Sequence, residues 1–224
     1  MPTNHHTSVP RTAHYSTLGT AGKHIKHIWI ACHGYGQLAS KFITKFEEVL
    51  DEETFVVAPE GLSRFYFGGN FSGEVAASWM TKGDRLHEIN DQCNWLDIVY
   101  DKYVPQMSDE VQITIMGFSQ GVATAFRWVQ SRCRPCNNLI AWAGRIPEDV
   151  NYKEIQEYID AKDIYFIYGL QDQFLTEQRV TFFRTEMKEL GLKVEETSFD
   201  DKHVVHRPTL KELGAKIKVG SRSW

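Results

Sequence analysis

The stretch ITIMGFSQGVATAFRW, residues 113–128, joins an apolar, β-branched run to a segment with the composition of a helix. Ser119 lies at the junction, inside the pattern G-F-S-Q-G of residues 117–121. The flanking glycines remove Cβ atoms that would crowd a sharp strand-to-helix turn, so the serine hydroxyl can project from the end of the strand. The helix that follows places free backbone N–H groups and positive potential beside that hydroxyl. The junction therefore predicts a nucleophilic serine.

Short apolar runs alternate with helical patterns along the rest of the chain. The runs predict strands buried on both faces, and they are His27–Ala31, Thr54–Ala58, Gln112–Met116, Leu139–Ala143, Ile164–Tyr168 and Val194–Phe199, with Thr12–Leu18 as an antiparallel edge. Amphipathic stretches between them, such as residues 84–103 with Leu86 on the apolar face, predict helices that cover both faces of a mostly parallel sheet. We expect one α/β domain over residues 1–224, with a polar N-terminal extension at about 1–10.

Composition and charge exclude several classes of partner. A formal net charge of −4 gives no electrostatic reason to expect nucleic acid or an anionic membrane. The sequence has no apolar run close to the ~20 residues of a membrane span, so we expect no stable membrane insertion. The first residues are polar and lack the apolar core of a secretory signal, which predicts a cytoplasmic protein. The chain is compatible with a monomer or a homodimer.

Cysteine and histidine spacing predicts neither a metal site nor a cofactor. Cys133 and Cys136 form a C-x-x-C, but a structural zinc site would need two further ligands and no second pair is present. The pair also follows a predicted helix, whereas a thioredoxin-like site precedes one. The histidines are scattered without paired metal spacing, and His33 is expected to brace its loop through hydrogen bonds. The predicted chemistry therefore depends on side chains and backbone alone.

A nucleophilic serine needs a base, and the base needs an acid that orients it. Asp172 directly follows the predicted strand Ile164–Tyr168, and His203 directly follows the last predicted strand. His206 is a second candidate for the base, but it adjoins the start of the last helix near Pro208. Ser119, Asp172 and His203 all fall at the carboxyl ends of strands, where α/β sheets bind ligands. We expect them to act together.

Five motifs carry a resemblance to a known family: ACHGYGQ (31–37), ASWM (77–80), GFSQG (117–121), YGLQDQF (168–174) and KHVVHRPTL (202–210). With these motifs the chain resembles the phospholipase/carboxylesterase family of α/β-hydrolases, which includes the acyl-protein thioesterases. The motifs span residues 31–210, so the resemblance covers nearly the whole chain. It implies the α/β-hydrolase fold, with a mostly parallel central sheet flanked by helices on both faces.

The resemblance also implies the parts of the site. It makes Ser119 the nucleophile, Asp172 the acid and His203 the base, and it places an oxyanion hole at the backbone N–H groups of Tyr35 and Gln120. The chain departs from the family pattern at three places: Val122 replaces a frequent glycine, the acid loop reads LQDQFL, and FDDK precedes His203. The last departure leaves His206 open as an alternative base.

The segment 60–83 is long for a connection, and it is rich in glycine and aromatic residues. It leaves a predicted strand at the same sheet edge as Ser119, and its rings cannot all join a core whose sheet faces are covered by helices. We expect an apolar wall for an acyl chain, built from Phe65, Tyr66, Phe67, Phe71 and Trp79. The alternative is that these rings pack the segment onto the domain surface or against a second subunit.

These expectations combine into one function. The sequence predicts a serine hydrolase that cleaves small carboxylic esters with an acyl chain, as carboxylesterases and lysophospholipases do, through an acyl-enzyme on Ser119. An acyl-thioesterase acting on S-acylated proteins or small thioesters is the alternative. A serine peptidase and a non-catalytic binding member of the fold are weaker alternatives, because the former usually carries a large extra domain and the latter would lack part of the triad.

Overall fold

The computed structural model describes residues 2–69 and 72–220. Within these ranges the chain forms nine strands and six α-helices. The strands are β1 (Tyr15–Leu18), β2 (His27–Cys32), β3 (Thr54–Pro59), β4 (Ser63–Tyr66), β5 (Val75–Ser78), β6 (Gln112–Phe118), β7 (Asn138–Trp142), β8 (Asp163–Gly169) and β9 (Val194–Phe199). The helices are α1 (Ala39–Phe42), α2 (Arg85–Tyr103), α3 (Gln120–Arg132), α4 (Gln156–Asp160), α5 (Glu177–Glu189) and α6 (Arg207–Gly220).

Seven of these strands form one sheet in the order β1-β3-β2-β6-β7-β8-β9. Strand β1 pairs antiparallel with β3, as expected of the first predicted strand, and the other pairs are parallel. Every residue of β2, β3 and β7 is buried, which requires cover on both faces of the sheet. The predicted mostly parallel α/β sheet, with flanking helices, is confirmed.

The register of the parallel strands brings the predicted site residues to one edge. Cys32 at the end of β2 lies opposite Gly117 in β6, and Phe118 at the end of β6 lies opposite Trp142 in β7. Gly169 and Phe199 are likewise partners at the ends of β8 and β9. The loops that follow β2, β6, β8 and β9 therefore leave the sheet on the same side.

Segment 60–83 is more regular than the sequence indicated. Strands β4 and β5 pair antiparallel as a separate two-stranded hairpin, with Tyr66 opposite Val75.

Helix α2 also differs from expectation at its first turn, because Leu86 is 73% exposed although the apolar pattern placed it on the buried face. Later positions on that face, Cys93, Leu96 and Val99, are buried as predicted.

Strand β9 is one edge of the sheet and carries two consecutive glutamates. Glu195 pairs with Lys216 of α6, and Glu196 pairs with Arg184 of α5. Both acidic side chains are thus tied to helices that pack beside the strand. Within the described ranges, no helix is long and apolar enough to cross a bilayer.

Candidate active site

Ser119 occupies a strained turn between β6 and α3. Its φ of 53° and ψ of −116° lie where a residue with a Cβ atom is rarely found. Close backbone packing holds the turn, because a Cβ on Gly117 would lie 2.3 Å from the Gly121 carbonyl oxygen and a Cβ on Gly121 would lie 2.2 Å from the Cys32 carbonyl oxygen. Both glycines of the G-x-S-x-G pattern are therefore required by contact distance, as the sequence indicated. The side chain they expose is the half-buried Ser119.

His203 and Asp172 form a hydrogen-bonded pair at the ends of β9 and β8. His203 Nδ1 donates to Asp172 Oδ2 across 2.6 Å, and the carboxylate side chain is fully buried. The other oxygen, Oδ1, accepts the backbone N–H groups of Phe174 and Leu175 at 2.7 and 3.2 Å. With Nδ1 donating to a carboxylate, the neutral ring leaves Nε2 as an acceptor, which is the tautomer a general base needs.

His206, the alternative base, is engaged elsewhere. Its ring stacks on Phe199 with centroids 4.9 Å apart and an interplanar angle of 8°, and its Nδ1 pairs with Thr209 Oγ1 at 2.9 Å. The geometry thus pairs His203, and not His206, with the buried acid.

Two contacts bring the His203 loop to the serine turn. Phe118, the residue before Ser119, packs its ring on His203 with centroids 5.0 Å apart. On the other side, Trp142 accepts the Ser119 N–H at its carbonyl over 2.9 Å and donates its indole N–H to the Val204 carbonyl over 2.9 Å. Among the described residues, Ser119 Oγ makes no hydrogen bond with His203. Such catalytic bonds often form only when substrate is bound.

The loop after β2 is fixed by His33, which is fully buried. His33 Nε2 accepts the Gly61 N–H over 2.9 Å, so the ring proton sits on Nδ1, which donates to the Gly34 carbonyl over 2.7 Å. Burial lowers the pKa of His33, which keeps the ring neutral in this role. The bracing predicted for His33 is confirmed by these hydrogen bonds.

The backbone N–H groups of Tyr35 and Gln120 were predicted to form an oxyanion hole, which requires that neither is bonded within the protein. Gln120 is the first residue of α3, so its N–H has no acceptor within the helix. The neighbouring amides of the β2 loop are occupied, since Gly34 N–H donates to Gln37 Oε1 and Gly36 N–H donates to the Ala77 carbonyl, each over 2.9 Å. In the described part of the chain, the N–H of Tyr35 between them has no acceptor. Backbone N–H groups at such positions can bind a developing oxyanion.

The Gln120 side chain joins the serine turn to the segment after β5. Its Oε1 accepts the Trp79 N–H over 3.1 Å, and its Nε2 donates to the Met80 carbonyl over 2.9 Å and to Ser78 Oγ over 3.1 Å. Trp79 is fully buried under this contact and donates its indole N–H to the His33 carbonyl over 2.7 Å. The structure therefore places Trp79 beneath the loops of the site, away from any surface open to substrate.

The other predicted wall residues divide between the two sides of the hairpin. Phe65 stacks on Tyr35 with centroids 5.2 Å apart, and Phe67 lies 6.4 Å from Tyr35 and 6.3 Å from Phe65. Phe67 also covers the loop after β2, since a Cβ on Gly36 would meet its ring at 3.0 Å. Tyr66 follows Phe65 in β4 and so points to the opposite side. Phe71 lies outside the described residues.

Phe174, which none of the sequence patterns indicated, contacts His203 from the loop that follows β8. Its ring makes an edge contact with His203, with centroids 4.9 Å apart, and 52% of its surface is exposed. Leu170 in the same loop is 63% exposed. In the sequence, Leu170 and Phe174 could have been found from their position two residues before and after Asp172, in the loop that follows β8. Exposed apolar side chains thus lie both in the loop after β2 and in the loop after β8.

Comparison with known proteins agrees with this architecture. No protein-family model and no curated protein sequence matches the chain. Solved structures do: acyl-protein thioesterase 2 from Zea mays (TM-score 0.68, 14% identity, 94% of this chain and 100% of that chain covered), the esterase PE8 (0.67, 18%, 93% and 99%) and the Bacillus cereus carboxylesterase (0.65, 12%, 92% and 94%). Likeness at this identity establishes a shared fold. The fold is that of an α/β-hydrolase, as predicted.

Proposed function

We propose that the chain is a serine hydrolase of the phospholipase/carboxylesterase type, which cleaves small carboxylic esters through an acyl-enzyme on Ser119. The observation that carries this proposal is the Asp172–His203 pair, which is linked by 2.6 Å and packed through Phe118 beside the strained serine turn. The five sequence motifs, and the esterases and thioesterases of the same fold, support it.

In this mechanism Ser119 Oγ attacks the acyl carbonyl while His203 Nε2 takes the hydroxyl proton. The carbonyl oxygen becomes an oxyanion, which the N–H groups of Tyr35 and Gln120 bind. The intermediate collapses, the alcohol leaves with the proton from His203, and the acyl group stays on Ser119. A water molecule then gives its proton to His203 and attacks the acyl-enzyme, which releases the acid and restores the serine. The chain supplies the nucleophile, the base and the oxyanion donors, and water is the second substrate.

The apolar rings beside the turn support a substrate with an acyl chain. Tyr35, Phe65 and Phe67 form a cluster next to the proposed oxyanion donors, and Tyr35 and Phe67 are more than half exposed. An exposed aromatic group of this kind gains free energy when an alkyl chain covers it. We place the acyl chain along this cluster.

A thioester is the second candidate substrate. The same attack on Ser119 would release a thiol, and one of the structures that share this fold is an acyl-protein thioesterase. A thiolate leaves more readily than an alkoxide, so cleavage of a thioester depends less on proton donation from His203. The rates on matched substrates distinguish the two.

A fluorophosphonate probe and a substrate panel test the proposal. We expect the probe to label Ser119, and Ser119→Ala to lose both labelling and hydrolysis of p-nitrophenyl esters, while Ser40→Ala, which removes an exposed hydroxyl, keeps both. An acyl-thioester and a peptide anilide run beside the esters identify the preferred leaving group. Turnover close to wild type in Ser119→Ala would overturn the mechanism.

A further inference from the structure

Three side chains from two distant parts of the sequence meet at the surface beside the start of α2. His6 Nε2 lies 3.0 Å from Asp84 Oδ2, and His87 Nδ1 lies 2.8 Å from Asp84 Oδ1. The two imidazole rings stack, with centroids 4.2 Å apart and an interplanar angle of 20°. One carboxylate thus lies between two histidines, and we call this trio the His–Asp–His cluster.

Asp84 is turned toward the histidines and away from its ordinary local role. It is the residue that precedes α2, where an aspartate usually accepts a backbone N–H of the first turn. Here its side chain makes no such bond, and its backbone has a φ of 55°. Both carboxylate oxygens are instead directed at imidazole nitrogens. The Asp84 side chain therefore does not cap α2 and contacts the two histidines instead.

We propose that the His–Asp–His cluster binds a divalent transition metal, and Zn²⁺ in particular. Two imidazoles and one carboxylate are a donor set that suits zinc. The three ligand atoms lie within 4.8 Å of one another, and tetrahedral zinc would hold neighbouring ligand atoms about 3.3 Å apart. The two histidine–carboxylate contacts of 2.8 and 3.0 Å would open by a few tenths of an ångström, and the longer distances in the trio, up to 4.8 Å, would shorten. Water would complete the coordination, because the side chains are 50–61% exposed.

The site would fasten the N-terminal arm, which we define as residues 2–13, to the body of the protein. The arm is almost entirely exposed, and the first backbone bond that ties the chain to the sheet region is donated by Glu60 N–H to the His14 carbonyl over 2.9 Å. His6 reaches α2 from the middle of this arm. Asp84 follows the segment that Gln120 holds at Met80. Zinc would therefore hold the arm against the segment that leaves the candidate active site. This inference does not depend on the proposed hydrolase activity.

Titration of the full chain with Zn²⁺ by calorimetry tests the site. We expect one ion per chain, with affinity lowered at least about tenfold in His6→Ala and in His87→Ala, since each removes one ligand. His5→Ala is the matched control, because His5 is exposed and adjoins His6 but is not part of the cluster. Equal affinity in the wild type and both ligand variants, or no binding by the wild type, would overturn the proposal.

Co²⁺ in place of Zn²⁺ reports which atoms bind the metal. We expect ligand-field bands of nitrogen and oxygen ligation that His87→Ala removes. A thiolate-to-metal charge-transfer band would place the ion at a cysteine such as the exposed Cys133 and would overturn the assignment.

The arm is tested by trypsin, which cuts after Arg11. We expect Zn²⁺ to slow this cleavage in the wild type and not in His6→Ala, and equal cleavage rates would contradict the fastening of the arm.

Discussion

The serine turn and the β4–β5 hairpin lie on the same side of the sheet, yet they are built in different ways. Around Ser119 the close contacts are between backbone atoms of β2, β6 and α3, and no space remains for one further carbon on Gly117 or Gly121. The hairpin has two four-residue strands, and Phe67 and Tyr66 are about half exposed. A packed turn sets atoms to within fractions of an ångström, whereas exposed rings can adapt. We therefore expect changes at the turn to abolish chemistry and changes in the hairpin to alter selectivity.

The largest effect is expected for Asp172→Asn. The two carboxylate oxygens accept three N–H groups, and an amide must present its NH₂ to one of these donors. An NH₂ facing His203 would move the ring proton to Nε2, so that the base could no longer take the serine proton. We expect kcat for p-nitrophenyl butyrate to fall by about 10⁴. Asp200→Asn, at an exposed position near the same loop, should leave kcat close to wild type. A loss of less than about tenfold would remove Asp172 from the mechanism.

Gly121→Ala tests the packing of the turn directly. The new Cβ would lie 2.2 Å from the Cys32 carbonyl oxygen, so the backbone of β2 or α3 has to move. We expect the free energy of unfolding to fall by about 1–3 kcal/mol or more, with loss of fluorophosphonate labelling. Gly83→Ala is the control, because its nearest neighbour would be Thr81 Oγ1 at 3.8 Å. Denaturant melts check both variants, and an unchanged midpoint for Gly121→Ala would show that the turn is not tightly packed.

Gln120→Glu tests whether the serine turn and the β4–β5 hairpin act independently, because the substitution breaks the contact between them without adding volume. It replaces the donor to the Met80 carbonyl by an acceptor, and we expect a loss of about 1–3 kcal/mol from that contact. Since this contact anchors the segment after β5, hydrolysis of long-chain esters should fall more than hydrolysis of acetate. Gln106→Glu removes an exposed amide donor to the Lys102 carbonyl and serves as the control. Equal losses on all chain lengths would show that Gln120 acts on the turn alone.

The smallest effect is expected for Phe67→Ala in the hairpin. Burying one methylene contributes about 0.8 kcal/mol when it leaves water completely, and a ring that stays half exposed gives less. We expect KM for octanoate to rise several-fold, with KM for acetate and kcat nearly unchanged. Val75→Ala, which removes an exposed side chain opposite Tyr66, is the matched control. A lowered melting temperature with unchanged selectivity would assign Phe67 to structure.

The parts of the fold that the sequence predicts are those whose signal is local. Continuous apolar runs such as β2 and β8 allow the strands to be placed within two residues, because burial on both faces requires such runs. Asp172 and His203 follow two of these runs directly, so their meeting at one edge follows from parallel pairing. The pairing of His203 with the acid, in place of His206, depends on side-chain directions that spacing does not encode.

Other features depend on contacts between distant residues. Strands β4 and β5 are only four residues long, and β4 alternates between half-buried and exposed residues, so they leave no long apolar run to detect. Leu86 fits the helical apolar pattern but is exposed, since an apolar pattern does not reveal where a neighbour stops covering the helix. Nothing in the spacing of His6 and His87 indicates that an N-terminal arm folds back onto α2. Trp79 was predicted as part of the apolar wall because it lies in the aromatic-rich segment, yet it is fully buried and its indole N–H has a buried acceptor.

The two consecutive glutamates of β9 affect how readily another strand can add to this edge of the sheet at high protein concentration. An uncovered last strand offers its backbone to any other extended chain, which is how sheets grow into aggregates. A strand arriving beside β9 would bring its own side chains against Glu195 and Glu196, whose charges are already committed to Lys216 and Arg184. An arriving strand with apolar or β-branched side chains would gain little free energy there, and it would desolvate both ion pairs. The acidic pair therefore disfavours the addition of a further strand at this edge of the sheet.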